Sequence, residues 1–354
     1  MRDDPAPPRA WRPSGFQIAA SLASLALAVA LLGLLLPKAA GAEWGDAWSA
    51  LTGLSLLDIA VMSTFWVIGL WLYTFVYTAS LPGLRHSQAL ALNLTGSLVS
   101  NLLPFGGAAG VANTYGLTFS WGFSGVATSL MVLVSGLANL LIRIVLPVVG
   151  VAALMTSRAK LPESANGVLV STLVVLVLIA LLVILMLINA RIAAFVGRVS
   201  DAGLRLIAWV IRRPPPQPRI EPAFRQMQSD AVPVLRKGWY RIAFGMVAYY
   251  ASELTLFCWA LNSLGSTISI AEATAAFALS RVLTSVVVTP SGVGISEAGT
   301  AGLLVLFGAP PAIAAAAVLI LHFYTYLIEI PAGFVGWGWV LAMRKRWRRP
   351  QPQG

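Results

Sequence analysis

The stretch Thr289-Pro-Ser-Gly-Val-Gly-Ile-Ser-Glu-Ala-Gly299 decides the fold, because it interrupts a sequence that is otherwise almost wholly apolar. It contains one proline, three glycines and one carboxylate. Non-helical backbone within hydrocarbon has no water to satisfy its N–H and C=O groups, so such a break survives only inside protein or along a wet cavity. We therefore expect this stretch to border a cavity with Pro290, Gly292, Gly294 and Glu297.

A second interruption lies 186 residues earlier, in the segment from Leu103 to Leu117. The two segments align without a gap over 19 positions and share seven identities, among them Pro104 with Pro290 and Gly106 with Gly292. Paired Gly/Pro-broken segments in two halves of a membrane protein indicate a transporter's binding site. We interpret the pair as an internal repeat, and a chance match between two glycine-rich loops is the alternative.

The composition places the chain in the membrane as one transmembrane domain over residues 1–354. Of its 354 residues, 58% are hydrophobic and only 10% are charged, as in polytopic membrane proteins. A single cysteine and two histidines predict no intrachain disulfide, no metal site and no cofactor. The net charge of +11 lies at the edges of apolar runs, so it indicates topology rather than nucleic-acid binding.

Six apolar runs are long enough to cross a bilayer, at 16–36, 54–78, 122–156, 167–190, 242–264 and 312–343. The broken elements near 103–117 and 289–303 have short, glycine-rich arms. We therefore predict an all-α polytopic protein with about six full spans and two re-entrant helical hairpins. Eight full spans is the alternative, because both arrangements give the basic loops the same sidedness.

The predicted sidedness makes the two hairpins open from opposite membrane faces. Residues 54–156 and 242–343 then form two half-repeats of inverted topology. The connector 191–241 carries ten Lys and Arg residues, so we expect it to be cytoplasmic and to lie on the anionic inner leaflet, with partner docking as an alternative role. Both termini should be cytoplasmic in a bacterial-type inner membrane, since the basic run Arg344–Arg349 follows the last span.

Two motifs resemble a known family, the lysylphosphatidylglycerol synthase transmembrane region. The more specific is the run from Val288 to Gly308, which is followed by an alanine-rich helix with Thr325 and Tyr326. The run Asn101-Leu-Leu-Pro104 resembles the family's first motif. The resemblance implies an all-helical lipid-translocating module, similar to the flippase part of the multiple peptide resistance factor.

The chain also departs from the family pattern. Where the family usually has an acidic residue and an arginine after the first glycines, this sequence has Val111, Asn113 and Thr114. His322 stands where an arginine is usual before the Thr-Tyr pair. These departures imply a different head-group chemistry. No soluble acyltransferase domain follows the last helix in this sequence, so we expect no aminoacyl-lipid synthesis by this chain.

Ionisable side chains within the spans are candidates for function, because each costs roughly 2.5–3.5 kcal/mol to insert at mid-bilayer. Glu297 is the first, and the alternative is that it only satisfies free amides at its helix start. Arg281 and Arg143 suit a lipid phosphate, because guanidinium groups bind phosphate oxygens bidentately. An ion pair with Glu253, Glu329 or Glu297 is the alternative for either arginine.

Three further residues complete the candidate set. His322 is either a proton-coupling switch or a hydrogen-bonded core histidine. Asn101 ends a polar stripe with Asn93 and Ser97, which lines either a substrate path or a helix–helix contact. Asp58 lies near the end of its span, where an interfacial position is expected.

These features predict a lipid translocase that moves a phospholipid or a lipid-linked anionic or zwitterionic head group between leaflets. The alternative is a non-transporting accessory subunit of a lipid or envelope-glycan pathway. A buried Glu/Arg cavity would favour the translocase, and a closed apolar core would favour the accessory subunit. No catalytic constellation is present in the sequence, so we expect no enzyme, and the only expected partner is membrane lipid.

Overall fold

The computed structural model describes residues 33–103, 106–156, 220–283 and 294–347, except positions 35, 37 and 39, together with isolated positions between 167 and 195. This part of the chain contains helices and no strand. The helices are α1 Trp44–Thr52, α2 Leu56–Ser80, α3 His86–Leu102, α4 Gly106–Ser120, α5 Gly125–Thr156, α6 Ile220–Ser263, α7 Ile270–Leu283, α8 Ile295–Leu306, α9 Pro311–His322 and α10 Glu329–Trp347, with a π-helical segment Phe323–Leu327 between the last two.

The predicted all-helical membrane architecture is confirmed in the described residues. Four helical segments there are long and apolar enough to cross a membrane: Leu56–Ser80, Gly125–Thr156, Arg236–Ser263 and Pro311–Trp347. They coincide with four of the six predicted spans. The other two runs, 16–36 and 167–190, are described at isolated positions only, so the total number of spans stays a prediction.

Helices α2 and α6 form an antiparallel pair along their lengths. At one end, the Asp58 carboxylate accepts hydrogen bonds from Trp259 Nε1 at 3.1 Å and Ser263 Oγ at 2.7 Å. At the other end, Arg241 Nη2 donates to Thr78 Oγ1 at 3.2 Å. Asp58 therefore joins the two helices at this end of the pair.

Helices α3 and α4 form a hairpin whose two outer ends lie at one end of the bundle. Gln88 Nε2, at the start of α3, donates to the Trp347 carbonyl at 3.3 Å. Trp121, just after α4, packs its ring 5.5 Å from that of Trp347. At the tip, a Cβ on Gly106 would overlap the backbone carbonyl of Ser100, so only glycine lets the chain double back there.

Helices α7 and α8 form a second hairpin, which enters the bundle from the opposite end. Helix α7 follows the turn at Gly265, just beyond the Ser263 end of α6. Helix α8 leads through Gly308 into α9, which packs against α1 near that same end. The described inner ends of the two hairpins, at Asn101 of α3, Arg281 of α7 and Glu297 of α8, therefore approach one another inside the bundle.

The first arm of each hairpin packs closely on a long helix at a glycine. A Cβ on Gly150 of α5 would lie 2.6 Å from the Cβ of Ala278 in α7. A Cβ on Gly333 of α10 would lie 2.7 Å from the carbonyl oxygen of Leu94 in α3, and one on Gly336 would lie 2.9 Å from the Leu94 Cβ. Small residues allow such close approach, which stabilises helix pairs in membranes.

One helix boundary differs from the sequence prediction, and one predicted span contains a change of helix type. Helix α6 runs unbroken from Ile220 through Pro233 to Ser263, so the second part of the connector continues into its span instead of ending near 241. The last predicted span, 312–343, contains Pro331, and the π-helical segment precedes this proline, with the Ile328 N–H donating to the Phe323 carbonyl at 2.9 Å. Since Pro331 offers no N–H to the carbonyl four residues earlier, the helix widens there.

Candidate functional site

A polar cavity of about 240 Å³ lies where the described inner ends of the two hairpins meet α5 and α9. Its wall contains two arginines, one carboxylate, one histidine and several hydroxyl groups. The lining residues are Asn101, Arg143, Ser280, Arg281, Ser296, Glu297, Thr300, Val318, Leu321, His322, Thr325 and Tyr326. Asn101, Arg143, Arg281, Glu297 and His322 are among the residues predicted from the sequence, and the fold brings all five to one cavity.

Glu297 lies at the start of α8 and is only 4% exposed. Its helix begins after Gly294, whose φ of 92° favours glycine. The Gly294 N–H donates to Glu297 Oε2, while Oε1 lies 2.7 Å from His322 Nδ1. The carboxylate therefore satisfies an amide at its helix start and also joins α8 to α9 at the cavity wall.

His322 is the last residue of α9, directly before the π-helical segment. Its ring stacks on Tyr326, with centroids 5.0 Å apart and planes 16° from parallel. Because Nδ1 is held by Glu297, Nε2 is the ring nitrogen that remains for the cavity. The hydrogen-bonded histidine expected as one alternative is present, and it also lines the cavity.

Arg281 forms the ion pair that was one of its two predicted roles. Its Nη2 lies 3.2 Å from Glu253 Oε2, and its guanidinium carbon lies 4.6 Å from the centre of the Phe277 ring. Glu253 also accepts a hydrogen bond from the Tyr249 hydroxyl at 2.8 Å. A buried charge needs such partners, and Arg281 lines the cavity while it keeps them.

Arg143 lies in the middle of α5, where it is exposed and lines the cavity. The cavity therefore reaches the outer surface of α5. One helical turn earlier, Asn139 Nδ2 donates to the Tyr73 hydroxyl at 2.6 Å. This hydrogen bond fixes the polar side of α5 against α2, next to Arg143.

Asn101 links the first hairpin to the last helix. Its Nδ2 donates to the Tyr326 carbonyl at 3.3 Å and to Glu329 Oε2 at 3.2 Å, and its own carbonyl accepts from the Tyr326 hydroxyl at 2.8 Å. Glu329 itself lines a smaller neighbouring pocket together with Glu253. Glu329 does not line the main cavity, but its hydrogen bond to Asn101 connects it to the cavity wall.

Some predicted residues contribute differently or lie outside the described part. Pro104, Pro290 and Gly292 fall in the segments 104–105 and 284–293, which are outside the described residues. Gly106 shapes the hairpin tip, and Gly294 precedes α8; neither is part of the cavity wall. The binding role of the whole predicted set stays a prediction.

Sequence reasoning missed several hydroxyl groups of the cavity wall: Ser280, Ser296, Thr300 and the hydroxyls of Thr325 and Tyr326. The sequence contains a signal for two of them. Thr300 lies three residues after Glu297, and Tyr326 lies four residues after His322. Residues three or four apart share a helix face, so both could have been added to the predicted site. Hydroxyl and guanidinium groups bind phosphate oxygens, and the carboxylate–imidazole pair binds an amine or a proton.

The described residues contain no group of three or more His, Cys, Asp or Glu side chains that could hold a metal ion. No curated protein matches the chain. The family model of the lysylphosphatidylglycerol synthase TM region matches residues 21–333, which include both hairpins and every described residue of the cavity wall. Since this match covers most of the sequence, the chain belongs to the lysylphosphatidylglycerol synthase transmembrane family.

Proposed function

We propose that this protein moves a lipid with an anionic or zwitterionic phosphate head group between the two leaflets of the membrane. The observation that carries the proposal is the charged cavity of about 240 Å³ among helices long enough to cross a bilayer. A buried ionisable group is costly in a membrane and marks a substrate or ion pathway by default. Four charged or imidazole side chains line the cavity: Glu297 is buried, Arg281 and His322 are partly buried, and Arg143 is exposed.

The cavity also favours transport over an accessory role. An accessory subunit needs only an apolar, closed core, whereas this cavity is polar and reaches the surface of α5 at Arg143. Such an opening would let a head group enter while the acyl chains stay in the surrounding lipid. A translocation of this kind breaks no covalent bond, so the proposal includes neither an enzymatic reaction nor a cofactor.

Arm lengths support the proposal that both hairpins are re-entrant. At 1.5 Å per residue, α3, α4, α7 and α8 are about 25, 22, 21 and 18 Å long as described, against roughly 30 Å of hydrocarbon. Over the residues that the structure describes, each arm is therefore shorter than the hydrocarbon core. Two re-entrant hairpins that meet at mid-membrane would place the cavity where both faces can reach it in turn.

The glycine contacts support the proposed inverted repeat. Gly150 and Gly336 are 186 residues apart, the same offset that aligns the two broken segments. Gly150 packs against the first arm of the second hairpin, and Gly336 packs against the first arm of the first hairpin. Each half would therefore hold the hairpin of the other half, and a rocking motion of the halves would change access to the cavity.

Sidedness follows from the basic end of the bundle, which we propose to be cytoplasmic and to contact the anionic inner leaflet. The described basic residues at that end are Arg85, Arg236, Lys237, Arg241, Arg344, Lys345 and Arg346. With Cys258 replaced by serine, an impermeant thiol reagent added outside should label Thr267→Cys and leave Lys345→Cys unlabelled. The reverse pattern would invert the proposed topology.

Transport itself is tested in liposomes that contain a fluorescent phosphatidylglycerol. An impermeant quencher reports the fraction of probe in the outer leaflet, so active protein should expose the whole pool and protein-free liposomes half of it. Arg143→Gln should slow the exchange, because the variant loses a cavity guanidinium. Arg241→Gln is the matched control, because Arg241 binds Thr78 at the basic end and does not line the cavity.

Exchange no faster than in protein-free liposomes would contradict the proposal and favour the accessory role. If the parent and Arg143→Gln exchanged lipid at the same rate, the protein would still be a translocase, but the head group would not pass through this cavity. Repeating the assay with fluorescent phosphatidylcholine separates anionic from zwitterionic head groups, since the rate ratio of the two probes measures the preference.

A further inference from the structure

Resting on the proposed function, we infer that entry of an anionic head group into the cavity is coupled to uptake of one proton by His322. The Nδ1 atom of His322 is fixed by Glu297 Oε1 at 2.7 Å. A carboxylate that accepts from Nδ1–H sets the ring tautomer and leaves Nε2 as the basic nitrogen. The ring is held against Tyr326, so Nε2 stays in place as a proton acceptor.

The surroundings of His322 make its protonation sensitive to a bound anion. Arg281 from α7 and Arg143 from α5 line the same cavity and disfavour a further positive charge. Glu297 from α8 favours one. Among the described residues, the other titratable groups near this site are Glu253, Tyr249 and Tyr250 of α6, Tyr326 of the π-helical segment and Glu329 of α10. Glu329 is connected to the site through Asn101 of α3.

A phosphodiester head group adds one negative charge beside the two arginines. Opposite charges within a few ångströms favour the charged form of a titratable group, and more strongly away from water. His322 is therefore more readily protonated when the cavity is occupied than when it is empty. By linkage, the protonated protein must bind the anionic head group more tightly by the same factor.

This coupling gives a complete transport step without a covalent reaction. A proton from water on the entry side adds to Nε2 as the head group binds, and no bond within the lipid changes. On release at the other face the anion leaves, and Nε2 returns the proton to water on that side. The negative phosphodiester and the proton then cross together, so the step is electrically neutral and responds to a pH gradient.

Calorimetry on the purified full chain in a neutral maltoside detergent tests the coupling without transport. The probe is dihexanoyl phosphatidylglycerol, whose phosphodiester does not titrate near neutral pH, so any proton taken up goes to the protein. Measurements in two buffers of different ionisation enthalpy give the number of protons bound per ligand. We expect a number close to one, and an affinity that rises as the pH falls, by up to ~10-fold per pH unit.

Two variants assign the proton. His322→Gln can still donate to Glu297 but cannot be protonated, so its uptake should fall close to zero and its affinity should no longer depend on pH. His86→Gln is the matched control, because the chain has two histidines and His86 bonds to Thr74 Oγ1 at 2.6 Å, away from the cavity. It should retain the parent's proton uptake.

The possible outcomes separate the two proposals. Binding of phosphatidylglycerol without proton uptake, or equal uptake by the parent and by His322→Gln, would overturn the coupling and leave the head-group site intact. Absence of binding at every pH would contradict the head-group site itself, and the coupling with it. In liposomes, a pH gradient should bias the parent's exchange severalfold and leave that of His322→Gln unbiased.

Discussion

The two hairpins are alike in how they pack and unlike in what they carry. Each presents its first arm to a glycine of a long helix, α7 to Gly150 and α3 to Gly333. The second hairpin contributes Arg281 and Glu297 to the cavity wall, whereas the first contributes Asn101. The packing is thus nearly symmetric, while the charge is concentrated in one hairpin.

One pair of equivalent positions in the repeat shows this difference in charge. Val111 and Glu297 occupy the same place in the two aligned segments, 186 residues apart. The valine is 39% exposed and the carboxylate 4%. In a soluble protein valine is usually buried and glutamate exposed, so the burial of these two side chains is reversed here. The reason is that the surface of a membrane protein faces lipid, whereas its interior can supply polar partners such as His322. A repeat can therefore keep one backbone plan and still give its two halves different chemistry.

The largest effect should come from the shared packing. Gly150→Ala and Gly333→Ala should each destabilise the fold by about 1–3 kcal/mol, because the new methyl group meets a neighbouring helix with no room to move. Equal losses in both would support two equivalent hairpin contacts. The measurement is unfolding of the purified protein by a denaturing detergent, followed by circular dichroism.

Two exposed glycines of the same helices provide the control for these variants. A Cβ on Gly136 of α5 or on Gly338 of α10 would meet nothing within 4 Å. Alanine at either position should leave stability unchanged or raise it slightly, because alanine favours helix over glycine. A loss at the control positions as large as at Gly150 would show that the glycines matter for helix flexibility rather than for close packing.

The sequence predicted the helical architecture better than it predicted which charged side chains pair with each other. Long apolar runs indicate where helices can span, so the four described spans, those of α2, α5, α6 and the α9–α10 segment, were predicted from the sequence, while the re-entrant character of the two broken elements stays a prediction. The partner of each charge depends on which helix faces meet. Glu253 was one of three possible partners for Arg281, and only the packed fold selects it.

The hydroxyl groups of the cavity wall were missed for a related reason. Serine and threonine in membrane helices commonly bond to their own backbone, as Thr300 Oγ1 does to the Ser296 carbonyl. Their presence in a sequence therefore gives no sign of a cavity. The π-helical segment was equally hidden, because a widened turn before Pro331 leaves no repeating pattern.

Removal of the buried carboxylate should have the next largest effect. Glu297→Gln keeps the shape and can still accept from Gly294 N–H, but it loses the charge that holds His322. Since charge-assisted hydrogen bonds contribute about 1.5–3 kcal/mol, lipid exchange in liposomes should fall by about tenfold or more. Expression and the elution volume of the purified protein should match the parent.

Val111→Gln is the corresponding change in the first hairpin. The side chain is exposed and does not line the cavity, so exchange should stay within twofold of the parent. If this variant were as slow as Glu297→Gln, both hairpins would respond alike, and the charge asymmetry would not determine transport.

A smaller effect is expected when the arginine charge is kept and its shape is changed. Arg281→Lys retains a cation for Glu253 but lacks the planar group that binds two phosphate oxygens at once. Exchange should slow about three- to tenfold, with little change in stability. Thr95 occupies the equivalent position 186 residues earlier, so Thr95→Ser is the control and should exchange lipid at the parent's rate. If Arg281→Lys also exchanged lipid at the parent's rate, Arg281 would only balance the charge of Glu253.

The smallest effect should come from Asn101, the cavity residue of the first hairpin among those that the structure describes. Asn101→Ala removes two hydrogen bonds from Nδ2, to the Tyr326 carbonyl and to Glu329. The bond from the Tyr326 hydroxyl remains, because it goes to the backbone carbonyl of residue 101. We expect the barrier to exchange to rise by about 0.5–1 kcal/mol, the lower part of the range for a lost side-chain hydrogen bond, so exchange should slow roughly two- to fivefold. Asn113→Ala, which loses only a bond to Thr95 within the hairpin, should not slow it. A loss at Asn101 that equals the loss at Glu297 would make the two hairpins equal contributors to the head-group site, and the division between a neutral and a charged hairpin would no longer hold.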